Sequence, residues 1–305
     1  MIALGLDTSN YTTSAAWFDG ETGENASRLL EVKPGELGLR QSEALFQHVK
    51  RLPDIMDQLM DTCGGAQITA VGASNRPRSV EGSYMPCFLA GTSQGEVLAR
   101  TLDVPFYAFS HQQGHIAAVL WSAGHFDMME RPMLAWHLSG GTTELLYVRP
   151  GVRAEKIGGT EDLSAGQLID RTGQLLKIPF PAGKALDQMS SGVPAKPFSV
   201  KVRNMRFSLS GMQNKTEALF RSGATREETA AFALACVTEA VRTATEQALK
   251  QYGGLPVIFT GGVASNTLLR RRMLPMGGIF GTPQCSTDNA MGIAVLTYFA
   301  ETRHG

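Results

Sequence analysis

The stretch Ile2-Ala3-Leu4-Gly5-Leu6-Asp7-Thr8-Ser9-Asn10 decides the fold: an apolar run with the length of a buried strand ends in a polar turn, and a second apolar run follows at 14–18. The same unit returns near the middle of the chain. Residues 133–138 are apolar, Ser139-Gly140-Gly141-Thr142 turns, and 144–148 reads as the returning strand. This weak internal repeat implies two lobes of like construction. At 305 residues the chain is also longer than one hydrophobic core normally serves, so we expect lobes at 1–130 and 131–305, with the last helix closing a cleft.

Between the two copies, periodicity predicts helices at 42–60 and 90–102 and strands at 70–74 and 105–108. Further on, Thr225 and Glu228 form a T-x-x-E capping box, apolar residues recur from 231 to 249, and Gly253-Gly254 stops the helix. A strand at 256–260 leads into Gly261-Gly262-Val263-Ala264-Ser265-Asn266 and another helix, and the last helix spans 289–301. Strands alternate with helices, and glycine turns stand at strand ends, which is the pattern of an α/β fold that binds nucleotides at those turns.

Lys and Arg number 28 and Asp and Glu number 28, so the field of the whole chain gives no reason to expect a nucleic-acid binder driven by net charge. Any RNA partner would need a local patch or a helper protein. Hydrophobic residues at 43% and charged residues at 18% indicate a globular chain. Cys63, Cys87, Cys236 and Cys285 lie far apart without a C-x-x-C pair, which argues against a disulfide framework or a zinc ribbon and for a reducing compartment. No basic n-region with an apolar core and no run near the ~18 apolar residues of a membrane span is present, so the expected location is cytoplasmic, with no membrane partner.

Three turns have the small residues and hydroxyls that hold an anion through backbone N–H groups: Asp7-Thr8-Ser9, Ser139-Gly140-Gly141-Thr142 and Gly261-Gly262-Val263. Each alone is equally an ordinary turn. His111 and His115 form H-x-x-x-H, which on a helix aims both imidazoles at one metal ion, or simply marks two satisfied histidines. Gln112 and Gln113 stand where a zincin carries its glutamate, so peptidase chemistry is disfavoured. Asp288 is a candidate third ligand or a helix N-cap. Asp162, Asp170 and Asp187 suit ribose hydroxyls or a solvated helix face. Arg76 with Arg78, the basic residues from 196 to 206, and Arg270-Arg271-Arg272 are either RNA phosphate contacts or plain surface.

Taken in order, these pieces resemble the TsaD/Gcp family of tRNA threonylcarbamoyltransferases. The resemblance rests on Gly5-Leu6-Asp7-Thr8-Ser9, the His111/His115 pair, Leu138-Ser139-Gly140-Gly141, Ala165-Gly166 through to Asp170, Pro181-Ala182-Gly183, Phe207-Ser208-Leu209-Ser210-Gly211, Gly261-Gly262-Val263-Ala264-Ser265-Asn266 and Cys285-Ser286-Thr287-Asp288-Asn289-Ala290. It implies a two-lobed actin-like ATPase fold (the class of acetate and sugar kinases, Hsp70 and actin) with a central nucleotide cleft. It also implies that His111, His115 and Asp288 ligate one divalent transition metal, iron or zinc. Leu138, Ser139, Gly140, Gly141, Thr142, Asp170, Gly183, Asp187, Gly261, Gly262 and Asn266 would hold ATP, AMP or a carbamoyl-adenylate, and Asp7, Ser9 and Ser139 would form the catalytic group. The implied partners are tRNA and the helper proteins of a threonylcarbamoylation complex, or a second copy of the chain.

The chain departs from the family pattern at several places. Tyr11 and Thr12 stand where the family has an acidic pair, Thr142 replaces a histidine, Asn75-Arg76-Pro77-Arg78-Ser79-Val80-Glu81 replaces a G-P-G loop, and Leu163 replaces one acid of an Asp-Asp pair. These describe a divergent paralogue. The alternatives are a carbamoyltransferase with a small-molecule acceptor and a non-catalytic nucleotide-binding protein; a sugar kinase of the same fold has no use for the imidazole pair.

Overall fold

The computed structural model describes residues 1–9, 11–32, 39–80, 82–194, 199–286 and 288–304. Asn10, Glu81, Lys196 and Thr287, each part of a stretch singled out above, lie outside them. The chain forms two compact units, one of Met1–Met129, Gly151–Arg153 and Gln284–Gly305, the other of Glu130–Pro150 and Ala154–Pro283.

In chain order the first unit contains β1 (Ile2–Asp7), β2 (Thr12–Phe18), β3 (Gly23–Leu29), α1 (Gln41–Thr62), β4 (Ile68–Arg76), α2 (Phe88–Leu102), β5 (Phe106–Ser110) and α3 (His111–Ser122). The second contains β6 (Met133–Leu138), β7 (Thr143–Arg149), β8 (Arg153–Thr160), α4 (Ala165–Leu175), α5 (Gly183–Met189), β9 (Arg206–Phe207), α6 (Ser210–Arg221), α7 (Arg226–Tyr252), β10 (Val257–Thr260), α8 (Thr267–Met273) and β11 (Gly278–Phe280). The short α9 (Pro283–Ser286) and the long α10 (Met291–His304) follow.

The first sheet has the order β3-β2-β1-β4-β5 and the second β11-β10-β6-β7-β8-β9. In each, a hairpin supplies the centre: β1 runs antiparallel to β2 and parallel to β4, and β6 runs antiparallel to β7 and parallel to β10. The two strand, turn, strand units read in the sequence are these two hairpins. β3 gave no sequence signal, because Gly23–Leu29 reads GENASRL and alternates nothing apolar with polar.

The central strands are apolar because both faces are covered. In the first unit Leu4, Leu6, Val71 and Ala73 pack with Leu52, Ile55 and Leu59 of α1 and Ala99 of α2. In the second, Trp136, Phe259 and Phe207 pack with Val237, Val241 and Ala244 of α7, and the Trp136 indole N–H donates to Thr245 Oγ1 at 2.8 Å. The α7 capping box is formed: Glu228 N donates to Thr225 Oγ1 at 3.1 Å, Thr225 N to Glu228 Oε2 at 2.9 Å, and Gly253 ends the helix at φ 75°.

The division at residue 130 is corrected at one end. Residues 284–305 were assigned to the second lobe, but they pack in the first unit. Ile293, Ala294, Val295 and Leu296 are all buried, as befits a helix apolar all round, and α10 lies so close to its neighbours that side chains are excluded between them. A Cβ on Gly5 of β1 would collide with the backbone of Ala294, and a Cβ on Gly292 with the carbonyl of Gly114 in α3. No helix among the described residues is long and apolar enough to cross a membrane.

Gly292→Ala is therefore expected to destabilise the fold by about 1–3 kcal/mol through overpacking against α3, read as a lower Tm in thermal unfolding. An unchanged Tm would contradict the tight α3/α10 contact.

Candidate functional site

The histidine pair is fixed from the residue before it. Ser110 ends β5 and caps α3: its Oγ accepts from Gln113 N at 3.2 Å, while its own N donates to Gln113 Oε1 at 2.9 Å. Ser79 Oγ also donates to Gln113 Oε1 at 2.9 Å, tying the altered loop after β4 to the start of α3. His111 is thus the first residue of the helix and His115 lies one turn on, on the same face. Gln113, the second of the two glutamines between the histidines, is a capping residue.

Across from this face stands Asp288. Its Oδ1 lies 3.4 Å from His111 Nε2 and 3.3 Å from His115 Nε2, and the two Nε2 atoms are 2.9 Å apart. All three ligand atoms fall within 4.8 Å of one another. Behind them, His111 Nδ1 is 2.7 Å from Asp7 Oδ2, and Asp7 Oδ1 accepts from Ser9 N at 2.8 Å. Ser9 Oγ is 3.4 Å from His111 Nε2. Asp7, 1% exposed, therefore faces the imidazole and the backbone of its own turn. Thr8 Oγ1 donates to Cys87 O at 3.0 Å and accepts from Gly91 N at 3.0 Å. The Asp7-Thr8-Ser9 turn, expected to cradle a phosphate, has Ser9 N and Thr8 Oγ1 engaged in holding this unit together.

The charges follow from the geometry. Burial opposes a charge on His111, but the Asp7 carboxylate and then Asp288 overcome it and push its pKa up to about 10. His115 goes the other way, lowered by burial and by the positive charge on His111. Asp7 and Asp288 are held below the usual carboxylate range because contacts with the imidazoles outweigh the burial that would raise them. One proton on His111 thus stands between two carboxylates, where a cation is favoured. The donor set fits a divalent transition metal: two imidazole nitrogens and one carboxylate oxygen converge, and the Asp7 carboxylate fixes the tautomer that turns the Nε2 lone pair of His111 toward the other two ligands.

The remaining candidates belong to the second unit. Ser139 N donates to Thr142 O at 2.8 Å and Thr142 N to Ser139 Oγ at 3.1 Å, closing the turn after Leu138. A Cβ on Gly140, Gly141 or Gly262 would meet nothing, so the backbone there is uncovered. Gly261, at φ 88°, lies against the backbone of Leu138, bringing the turns at 139–142 and 261–263 together. Asn266 caps α8, its Oδ1 accepting from Leu269 N at 2.9 Å, and its Nδ2 donates to Asp187 Oδ1 at 2.8 Å. Asp187 also accepts from Thr267 Oγ1 at 2.6 Å. Asp170, raised by burial, accepts from Ala182 N at 3.0 Å, just before Gly183 opens α5. Asp162 is occupied elsewhere: it accepts from Ser208 and Ser210 hydroxyls at 2.5 and 2.6 Å and from Leu209 N at 2.8 Å, which holds its carboxyl well below the usual range despite burial. It pins the start of α6 and offers little to a ribose. Leu163 is buried in the apolar core of this unit, so the position of the missing acid is packed with hydrocarbon.

Two supporting serines escaped the sequence reading. Ser164 caps α4 through Gln167 and donates to Gly140 O at 2.6 Å, and Ser110 does the like for α3. Both are S-x-x-Q capping boxes, a signal present in the sequence.

Comparison with known proteins follows the same lines. Residues 32–295 match the model of the TsaD family, tRNA N6-adenosine threonylcarbamoyltransferase. The chain is 30% identical over 295 residues to the tRNA N6-adenosine threonylcarbamoyltransferase of Salinibacter ruber, covering 91% of this chain and 86% of that protein. It is 30% identical over 264 residues to the protein of that name from Carboxydothermus hydrogenoformans, covering 83% and 77%. Among solved structures it resembles T. kodakarensis HypF (TM-score 0.66, 14% identity, 99% of this chain and 48% of that one) and a ROK hexokinase from Thermus thermophilus (TM-score 0.56, 14% identity, all of both chains). These neighbours show the actin-like ATPase fold.

Two outcomes test the site. Asp7→Asn should weaken binding of a divalent transition metal by about 10–100-fold, measured by calorimetric titration of chelator-stripped protein, since it disturbs the group that orients His111. Metal must also displace the His111 proton, so apparent affinity should fall about tenfold per unit of acidification below pH ~10, with proton release at neutral pH. For the metal-free chain the sign is opposite: the raised His111 pKa adds stability below its ordinary 6.5 that is lost as pH rises through about 10.

Proposed function

This chain belongs to the TsaD family of tRNA N6-adenosine threonylcarbamoyltransferases, and from that membership we propose that it transfers a threonylcarbamoyl or related carbamoyl group from a carbamoyl-adenylate to the adenosine next to the anticodon of tRNA, using one bound iron or zinc ion. The observation that carries the reading is the convergence of His111, His115 and Asp288, residues from distant parts of the sequence, onto one point. Held there, the ion would act as a Lewis acid on the carbamoyl carbonyl or a phosphate oxygen.

The protein's own groups do the rest of the work in this reading. Leu138, Ser139, Gly140, Gly141 and Thr142, with Gly261 and Gly262, take the phosphate, with uncovered backbone at Gly140, Gly141 and Gly262. Asp170, Gly183, Asp187 and Asn266 take the nucleoside. Asp7 acts through His111 by fixing its tautomer, and the Ser9 hydroxyl, 3.4 Å from His111 Nε2, is the donor beside the three ligands. The adenine amine attacks the carbamoyl carbon, the bond from that carbon to the adenylate oxygen breaks, AMP leaves with the bonding electrons, and the amine loses a proton. The setting is the cytoplasm, with helper proteins of a threonylcarbamoylation complex or a second copy of the chain as partners, which suits a chain without net charge.

The test uses protein purified without chelator or nickel. About one iron or zinc per chain is expected, lost in His115→Ala together with a fall in transfer of at least about 100-fold. AMP release from threonylcarbamoyl-adenylate should require tRNA. Release independent of tRNA would replace the acceptor by a small molecule, as the substituted 75–81 loop would suit; adenylate binding with no release under any acceptor would leave a non-catalytic paralogue.

A further inference from the structure

We propose that the turn joining Arg203 to Arg206 in the second unit is a clamp for backbone phosphates of the RNA acceptor; this rests on the tRNA reading above and adds the surface that holds it. Backbone N–H groups of Arg203 and Arg206 each donate to the carbonyl of the other at 2.9 Å, making an isolated antiparallel bridge. Residues directly opposite in such a bridge project to the same face, and like charges there repel. Burial agrees: Met205 and Phe207 point inward, while Lys201, Arg203 and Arg206 are exposed. Among the described residues no ion pair joins these three cations to a carboxylate. An opposed arginine pair without an acid costs stability unless an anion is bound.

The turn is also locked in an unfavourable backbone. Asn204 and Met205 both have left-handed φ, 49° and 62°, the pair a two-residue hairpin loop requires; asparagine tolerates it, but a side chain as bulky as methionine rarely does. Met205 N donates to Gln247 Oε1 at 2.8 Å, Gly159 N donates to Met205 O at 2.9 Å, and Gln247 Nε2 donates to Val202 O at 3.1 Å. A Cβ on Gly158 would collide with the Met205 carbonyl. The surrounding structure thus holds in place a turn from which two arginine side chains leave opposed backbone positions on one face, each able to make bidentate contacts with phosphate oxygens.

Beside it lies a cleft of about 340 Å³ lined by Lys156, Gly158, Gly159, Thr160, Glu161 and Arg206. Lys156 pairs with Glu144 at 3.1 Å, and Glu161 forms no ion pair with Arg206. The stretch 199–210 carries three cations and no acid in a chain whose charges balance as a whole. Exposed cations of this kind hold a single small anion weakly because water and salt screen each contact; a polyanion gains from several contacts at once, by counterion release.

The experiment measures tRNA binding by fluorescence anisotropy across a salt series, with the full chain, with Arg203→Ala/Arg206→Ala and with Arg203→Glu. The double variant should bind about tenfold or more weakly at low salt, with the slope of log affinity against log salt reduced by about 2. Its Tm should hold or rise, because the repulsion is gone, and Arg203→Glu should raise Tm while weakening binding further. AMP and inorganic phosphate, as probes, should bind the parent and the variants alike. Parent affinity and slope in the double variant overturn the clamp, as does a Tm drop with an unchanged slope. Loss of phosphate binding with tRNA binding intact makes it a small-anion site instead. A parent chain that binds no tRNA removes the acceptor reading itself, an outcome distinct from the others because no protein in the set then shows salt-dependent binding.

Discussion

The contact between the Asp7 carboxylate and His111 Nδ1, 2.7 Å long and buried, is the constraint on which the site depends. A histidine held on one nitrogen by a carboxylate keeps its Nδ1 proton there, so the proton it gives up to a metal ion is the one on Nε2, whose direction is set beforehand. The same contact explains the opposite behaviour of two imidazoles one helical turn apart. The proton goes to the ring beside the carboxylates, and its charge keeps the other ring neutral.

Position comes from packing. His111 and Asp288 are far apart in sequence, and what unites them is the absence of side chains between α3 and α10 at Gly114 and Gly292, and between α10 and β1 at Gly5. Asp7 ends β1, His111 begins α3 and Asp288 shortly precedes α10, so the helix packed tightly on both β1 and α3 follows the residue that completes their polar cluster. Backbone proximity and chemistry have one cause here.

Much of this was legible in the residues. The two hairpins, the helix holding the histidine pair and the Thr225/Glu228 cap all rest on local periodicity or capping chemistry, which needs no knowledge of distant contacts. The histidine pair was legible as far as spacing allowed, and only the distances from Asp288 to both imidazoles show that the three converge. Three things were out of reach. Asp7 and Asp162 are acids whose partners come from distant segments, so nothing local tells a carboxylate aimed at substrate from one tied to a histidine or to the start of a helix. The lobe boundary failed at α10 because a helix apolar all round carries no sign of which sheet it covers. β3 is an edge strand without an apolar face.

The leucine at 163 commits its corner of the second unit to hydrocarbon. Its side chain is enclosed by Leu168, Leu209 and their neighbours, a setting tailored to hydrocarbon. An aspartate placed there would give up water around its charge and would need a new partner, at a penalty of several kcal/mol against a total folding stability of about 5–15 kcal/mol. A carboxylate can therefore occupy this position only together with several coordinated changes in the core around it.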